Sequence, residues 1–105
     1  MSANRLEMLQ TLVEQNPTDT FVRYGLAMEY TNSGKLEEAV SEFETLLKTN
    51  GEYAAAYFHG GQALERLGRV DEARVMYERG IEVTARSGDR KTQNELQAAL
   101  DMLPL

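Results

Sequence analysis

The chemistry open to this chain is narrow. It holds one histidine, His59, and no cysteine. Thiolate nucleophiles, disulfides and thiolate metal sites are therefore excluded, and a lone imidazole needs carboxylate help to hold a metal. A nucleophile–base pair would have to join His59 to a serine or threonine, and no motif around it supports one. Gly60-Gly61 lacks the Gly-x-Gly-x-x-Gly spacing and the preceding strand of a phosphate cradle. Glu37, Glu38, Glu42 and Glu44 crowd one short stretch, but acids exposed on a helix form a solvated face, and acid–base work needs a cleft that perturbs them. The expectation is no enzyme, no metal and no cofactor. His59 reads as a half-exposed helix residue beside Tyr57 and Phe58, not as a switch or a ligand.

Recognition by apolar side chains has more support. Phe21, Tyr24 and Met28 fall at i, i+3 and i+7, a helix face separate from that of Leu26, Ala27 and Tyr30. Phe58 repeats the aromatic character of Tyr24 at a shift of 58 − 24 = 34. The same shift governs a longer match. Gly34-Lys35-Leu36-Glu37-Glu38-Ala39 recurs as Gly68-Arg69-Val70-Asp71-Glu72-Ala73 (68 − 34 = 34), with every position keeping its residue class. Self-similarity at this period points to a stack of helical hairpins rather than a closed globule. Such stacks work by presenting a surface to another molecule.

The elements that must position these residues are helices. A chain of 105 residues makes one domain, and 42% hydrophobic residues are too many for a disordered one. With 2 prolines and many good helix formers, the answer is α-rich. Apolar spacing and breakers divide the chain into six helices. The first runs from about Asn4 to Gln15, with Asn4 and Glu7 as a capping box, and stops at Asn16-Pro17. The second, capped by Thr18 or Asp19, ends at Asn32, where Gly34 takes the left-handed conformation. The others cover about Lys35–Thr49, Tyr53–Leu67, Arg69–Arg86 and Arg90–Leu103, separated by Asn50-Gly51, Gly68 and Ser87-Gly88-Asp89. No stretch has a strand pattern.

These residues resemble the tetratricopeptide repeat family. In a first unit the pattern is Leu26-Ala27, Tyr30, Gly34, Ala39, Phe43 and Leu46-Leu47. In a second it is Tyr57, Gly61, Leu64, Gly68, Ala73, Tyr77 and Gly80-Ile81. Leu9, Leu12-Val13 and Pro17 match the second helix of a preceding repeat in the same register. The resemblance implies an all-α, right-handed superhelical stack of antiparallel helix hairpins: a half-repeat over 1–17, repeats over 20–53 and 54–87, and a capping helix over 89–103. Small residues (Ala27, Gly61, Ala39, Ala73) let helices approach, while Tyr30, Phe43 and Tyr77 fill the space beside them. The chain departs from the family at Arg23, where an aromatic is common, and at Gly51 and Ala85, which replace the repeat-ending proline. It also departs at Gly60, which replaces a large apolar residue. Mid-helix Gly60 and Gly61 each cost roughly 1 kcal/mol against alanine; Gly61 has a packing reason and Gly60 none.

The resemblance also implies a concave groove lined by the first helix of each repeat. In this register it holds Phe21, Tyr24, Met28, Thr31 and Asn32 from the first unit, and Ala55, Phe58, Gln62, Glu65 and Arg66 from the second. Lys91 and Asn94 of the last helix reach toward it. The lysine and asparagine with which some members clamp a peptide carboxylate are replaced by Tyr24 and Met28, so an extended or helical segment with apolar side chains fits better. The implied function is non-enzymatic binding of a peptide or protein segment, with homodimer formation through the same face as the alternative. A net charge of -6 with dispersed basic residues argues against nucleic acid. The absence of a signal peptide pattern or a bilayer-length apolar run makes the cytoplasm the default compartment, with no membrane partner.

Overall fold

The computed structural model describes residues 2–105, and side chains from Arg5 onward. Those residues form six helices and no strand: α1 (Ser2–Gln15), α2 (Thr20–Asn32), α3 (Leu36–Thr49), α4 (Ala54–Arg66), α5 (Val70–Ser87) and α6 (Arg90–Asp101). Each packs mainly on its neighbours in sequence, and α4 also packs on α6. Contacts between successive elements are the mark of an all-α helical-repeat solenoid.

Boundaries depart from expectation by one or two residues, and the caps explain where. Asp19 is the cap of α2, its Oδ1 accepting a hydrogen bond from the Val22 N–H at 3.1 Å; Asp89 does the same for α6, accepting from the Thr92 N–H at 3.1 Å. Lys35, Tyr53 and Arg69, expected inside helices, are the preceding cap residues. The last helix stops at Asp101, short of Leu103, which is nonetheless buried. At the other end α1 begins at Ser2, before Asn4. The capping box expected of Asn4 rests on a side chain outside the described residues.

The repeated turn is built the same way twice. Gly34 and Gly68 have φ of 78° and 77°, a left-handed conformation that costs a residue with a Cβ. Around them the Lys35 N–H donates to the Tyr30 carbonyl at 2.8 Å and the Arg69 N–H to the Leu64 carbonyl at 2.9 Å. The Gly34 and Gly68 N–H groups close the inner bonds to Thr31 and Glu65, completing Schellman motifs one repeat apart.

The core follows the small-against-large pattern. Ala27, Ala39, Phe43, Leu46, Ala56, Ala63, Ala73, Tyr77 and Leu96 are all fully buried. A Cβ on Gly61 would lie 2.7 Å from Tyr77 Cδ1 and Cζ, and one on Gly80 would lie 2.7 Å from Tyr57 Cβ. Gly60, expected to have no packing reason, has one: a Cβ there would stand 3.3 Å from Met76 Cε and 3.4 Å from Phe43 Cβ. Its missing side chain makes room for two large neighbours. Arg23, the departure on α2, turns its guanidinium to the Glu42 carboxylate and the Pro17 carbonyl, so an ion pair replaces apolar packing there.

Candidate functional site

The groove residues expected from the two repeats stand on α2 and α4. Tyr24 and Phe58 are half-buried against the core, and the connection between them is His59. The Tyr24 ring lies 6.1 Å from the imidazole, which in turn meets Phe58 edge-on at 5.3 Å. Tyr53, at the N-cap position of α4, lies 5.2 Å from Tyr24, and Phe43 meets Tyr24 from α3 at 6.2 Å. An aromatic tract of Tyr53, Tyr24, His59 and Phe58 thus spans both repeats. Edge-on and tilted contacts at these separations are favourable beyond the area they bury.

Phe21, Met28 and Asn32 adjoin the tract at Tyr24. With Tyr24 they line a cleft of about 400 Å³ between α1 and α2, which also draws on Leu9 and Leu12 from α1. Phe21 is 75% exposed at its rim. Gln62 and Arg66, with Thr31 and Glu65, line a second depression of about 320 Å³ toward the C-terminal ends of α2 and α4. Ala55 is half-buried near the start of α4 and lines neither. Glu65 is not a free acid of the surface: its carboxylate accepts a hydrogen bond from the Tyr77 hydroxyl. Lys91 and Asn94 are exposed on α6.

Two members of the tract, Tyr53 and His59, lie outside the sequence-derived set. One repeat earlier their places hold Asp19 and Gly25 (53 − 34 = 19, 59 − 34 = 25). Neither therefore produces the periodic signal that marks Tyr24 and Phe58.

Burial decides the electrostatics of the tract. It holds the His59 imidazolium below its ordinary pKa, with Gln62 and the Glu95 carboxylate opposing. The Tyr24 phenol is pushed up, first by burial and then by Tyr53. Tyr53 is raised by its own burial and then by Asp19. At neutral pH the tract is uncharged. A histidine whose folded pKa lies below its unfolded value, ordinarily about 6.5, is bound to fewer protons when folded. Stability is therefore retained above about pH 6.5 and falls as pH drops through it. Urea unfolding at pH 7.5 and 5.5 is expected to show a larger acid loss for the native chain than for His59→Gln. Equal losses would mean that the carboxylates, not His59, carry the dependence.

Among the described residues no group of three His, Asp or Glu side chains could hold a metal ion, and no helix is long and apolar enough to cross a membrane.

Comparisons with known proteins agree with this fold. A family model of the tetratricopeptide repeat matches residues 24–89. A TPR repeat-containing protein of Pseudomonas aeruginosa is 24% identical over 93% of both chains. The solution structure of a tetratricopeptide repeat domain protein from Salinibacter ruber is 40% identical, covers 80% of this chain and 85% of its own, and superposes with a TM-score of 0.75. PcrH, solved in complex with the chaperone binding region of PopD, shares the fold at a TM-score of 0.88 and 17% identity, over 95% of this chain and 76% of its own. Six helices in hairpin order, Schellman turns one repeat apart and a match spanning both repeats lead to one assignment: this chain belongs to the tetratricopeptide repeat family.

Proposed function

We propose that the chain is a non-enzymatic interaction module that holds a peptide or protein segment against α2 and α4, anchored on Tyr24 and Phe58. The carrying observation is the uncharged aromatic tract from Tyr53 through Tyr24 and His59 to Phe58, with amide and charged groups of Gln62, Glu65 and Arg66 in the neighbouring depression. Apolar anchors with a polar margin suit a segment that offers apolar side chains and main-chain hydrogen bonds. The structure of PcrH with a segment of PopD is an instance of this fold engaging a protein segment.

Pairing of two copies through this same tract is the less favoured use. Tyr24 and Phe58 are already half-buried within the chain, so they offer ring edges to a thin segment rather than a raised apolar face to a second domain. The net charge of -6 disfavours nucleic acid as the occupant.

Peptides selected against the immobilised chain from a random display library provide the test. Their affinity for Tyr24→Glu and Phe58→Glu is expected to fall at least tenfold, about 1.4 kcal/mol, with helicity by circular dichroism unchanged. Undiminished binding to both variants would remove this face from consideration.

A further inference from the structure

His59 is the chain's one histidine, and within its own helix it has no evident role. Its surroundings come from other helices. The imidazole lies 6.1 Å from the Tyr24 ring of α2 and 5.3 Å from the ring of Phe58 beside it on α4. An occupant in contact with both anchors therefore also covers the imidazole that touches each. His59 is half-buried, so part of it still meets water when the groove is empty.

The charges that act on it are few. Its helix packs on α3, α5 and α6. From α6 the Glu95 carboxylate favours the imidazolium, and Gln62, one turn on along α4, favours it by hydrogen bonding. From α2 and the N-cap of α4 come only the phenols of Tyr24 and Tyr53, both uncharged near neutral pH. In this region α3 presents Phe43 to Tyr24 and α5 presents Met76 to Gly60, neither of them charged. Glu95 is exposed, so water and salt screen it, and burial prevails over its pull on His59.

We infer that His59 couples segment binding to pH: the neutral imidazole accepts an apolar occupant over Tyr24 and Phe58, and the imidazolium rejects it. The inference rests on the segment-binding reading given above and adds its regulation. A charged ring is tolerated only where water or a close counter-charge surrounds it. An apolar occupant strips that water, and a screened, exposed Glu95 does not replace it. Occupation and protonation therefore oppose each other, and by linkage each weakens the other by the same factor. With one proton taken up for each segment released, affinity falls at most about tenfold per pH unit below the His59 midpoint. Histidine is the side chain whose charge ordinarily changes between pH 5 and 8, so the coupling operates under mild acidification.

The test uses the untagged 105-residue chain and display-selected peptides that lack His, Asp and Glu. Their affinity is expected to fall at least about threefold between pH 7.5 and pH 5.5, with helicity by circular dichroism intact at both. In His59→Gln the ratio of the two affinities is expected to be close to one, whatever the affinity itself. A second measurement needs no variant. Because the chain has a single imidazole, its ring proton resonances report the His59 midpoint directly, free and with peptide bound. The free midpoint is expected below the ordinary value of about 6.5, and saturation with peptide should lower it further by at least about 0.5 pH unit, the same threefold factor read from the other side. A midpoint that peptide leaves unmoved or raises overturns the inference, as does an affinity that is constant or rises on acidification. So does an equal acid loss in His59→Gln. Those results leave the site itself standing if capture at pH 7.5 still depends on Phe58. No capture at pH 7.5, or capture undiminished in both Tyr24→Glu and Phe58→Glu, overturns the segment-binding reading and this inference with it.

Discussion

Tyr77→Ala is expected to cost about 3–5 kcal/mol, the range for emptying a large aromatic site. That is a major share of the roughly 5–15 kcal/mol that stabilises a domain. The ring is fully buried and lies against the bare backbone of Gly61, where rigid helix main chain cannot collapse into the vacancy. Its hydroxyl adds a second interaction, the hydrogen bond donated to the Glu65 carboxylate. Burial and that bond together push the phenol pKa far above its ordinary value, so the hydroxyl stays protonated and donating through any physiological pH. Tyr77→Phe separates the two contributions. It keeps the packing and removes the donor; Glu65 is exposed and recovers its hydration, so the loss should stay near about 1 kcal/mol. Urea midpoints at unchanged slope provide the measurement. A phenylalanine variant as damaged as the alanine one would mean that the polar pair, and not ring packing, holds α4 to α5.

The period makes most of this architecture readable. A Schellman turn needs a left-handed residue, so Gly34 and Gly68 stand out as equivalent in the sequence, and their hydrogen bonds match position for position. Ala27, Ala39 and Ala73 are legible for the same reason: close approach selects small residues, and selection leaves a repeated mark. What the period cannot convey is whatever differs between units. His59 stands where the first repeat has Gly25, yet its imidazole is what joins Tyr24 to Phe58. Gly60 has no packing reason legible within its own helix, because the compensating bulk comes from Phe43 on α3 and Met76 on α5. Phe21 and Met28 occupy groove positions by register, but α2 is the first of the groove-lining helices described and packs on α1. Without a preceding unit beside them among the described residues, they line the α1 cleft. Register fixes a residue's place on its helix; its surroundings depend on what neighbours that helix.

The second large effect opposes helix propensity. Replacing a mid-helix glycine by alanine should by itself gain up to about 1 kcal/mol, and at Gly25 of α2 that gain is expected. A Cβ there meets only Leu9 Cδ2 at 3.5 Å, an ordinary contact, and melting should rise by a few degrees. At Gly61 the same change should reverse sign. The new methyl would stand 2.7 Å from two carbons of the Tyr77 ring, and the ring, fully buried and tied to Glu65 by its hydroxyl, has nowhere to move. Overpacking of this kind costs about 1–3 kcal/mol, so the melting temperature should fall by roughly 4 °C or more in a domain of this size. The two glycines thus form an internal control: identical chemistry, opposite outcomes, decided by one neighbour. If Gly61→Ala also raised the melting temperature, α4 and α5 could not be in the close contact described. Removing the ring as well should abolish the penalty, because Gly61→Ala then meets an emptied site. The combined Gly61→Ala/Tyr77→Ala chain is expected to be more stable than the sum of the single changes allows, and simple additivity would show that the two residues do not touch.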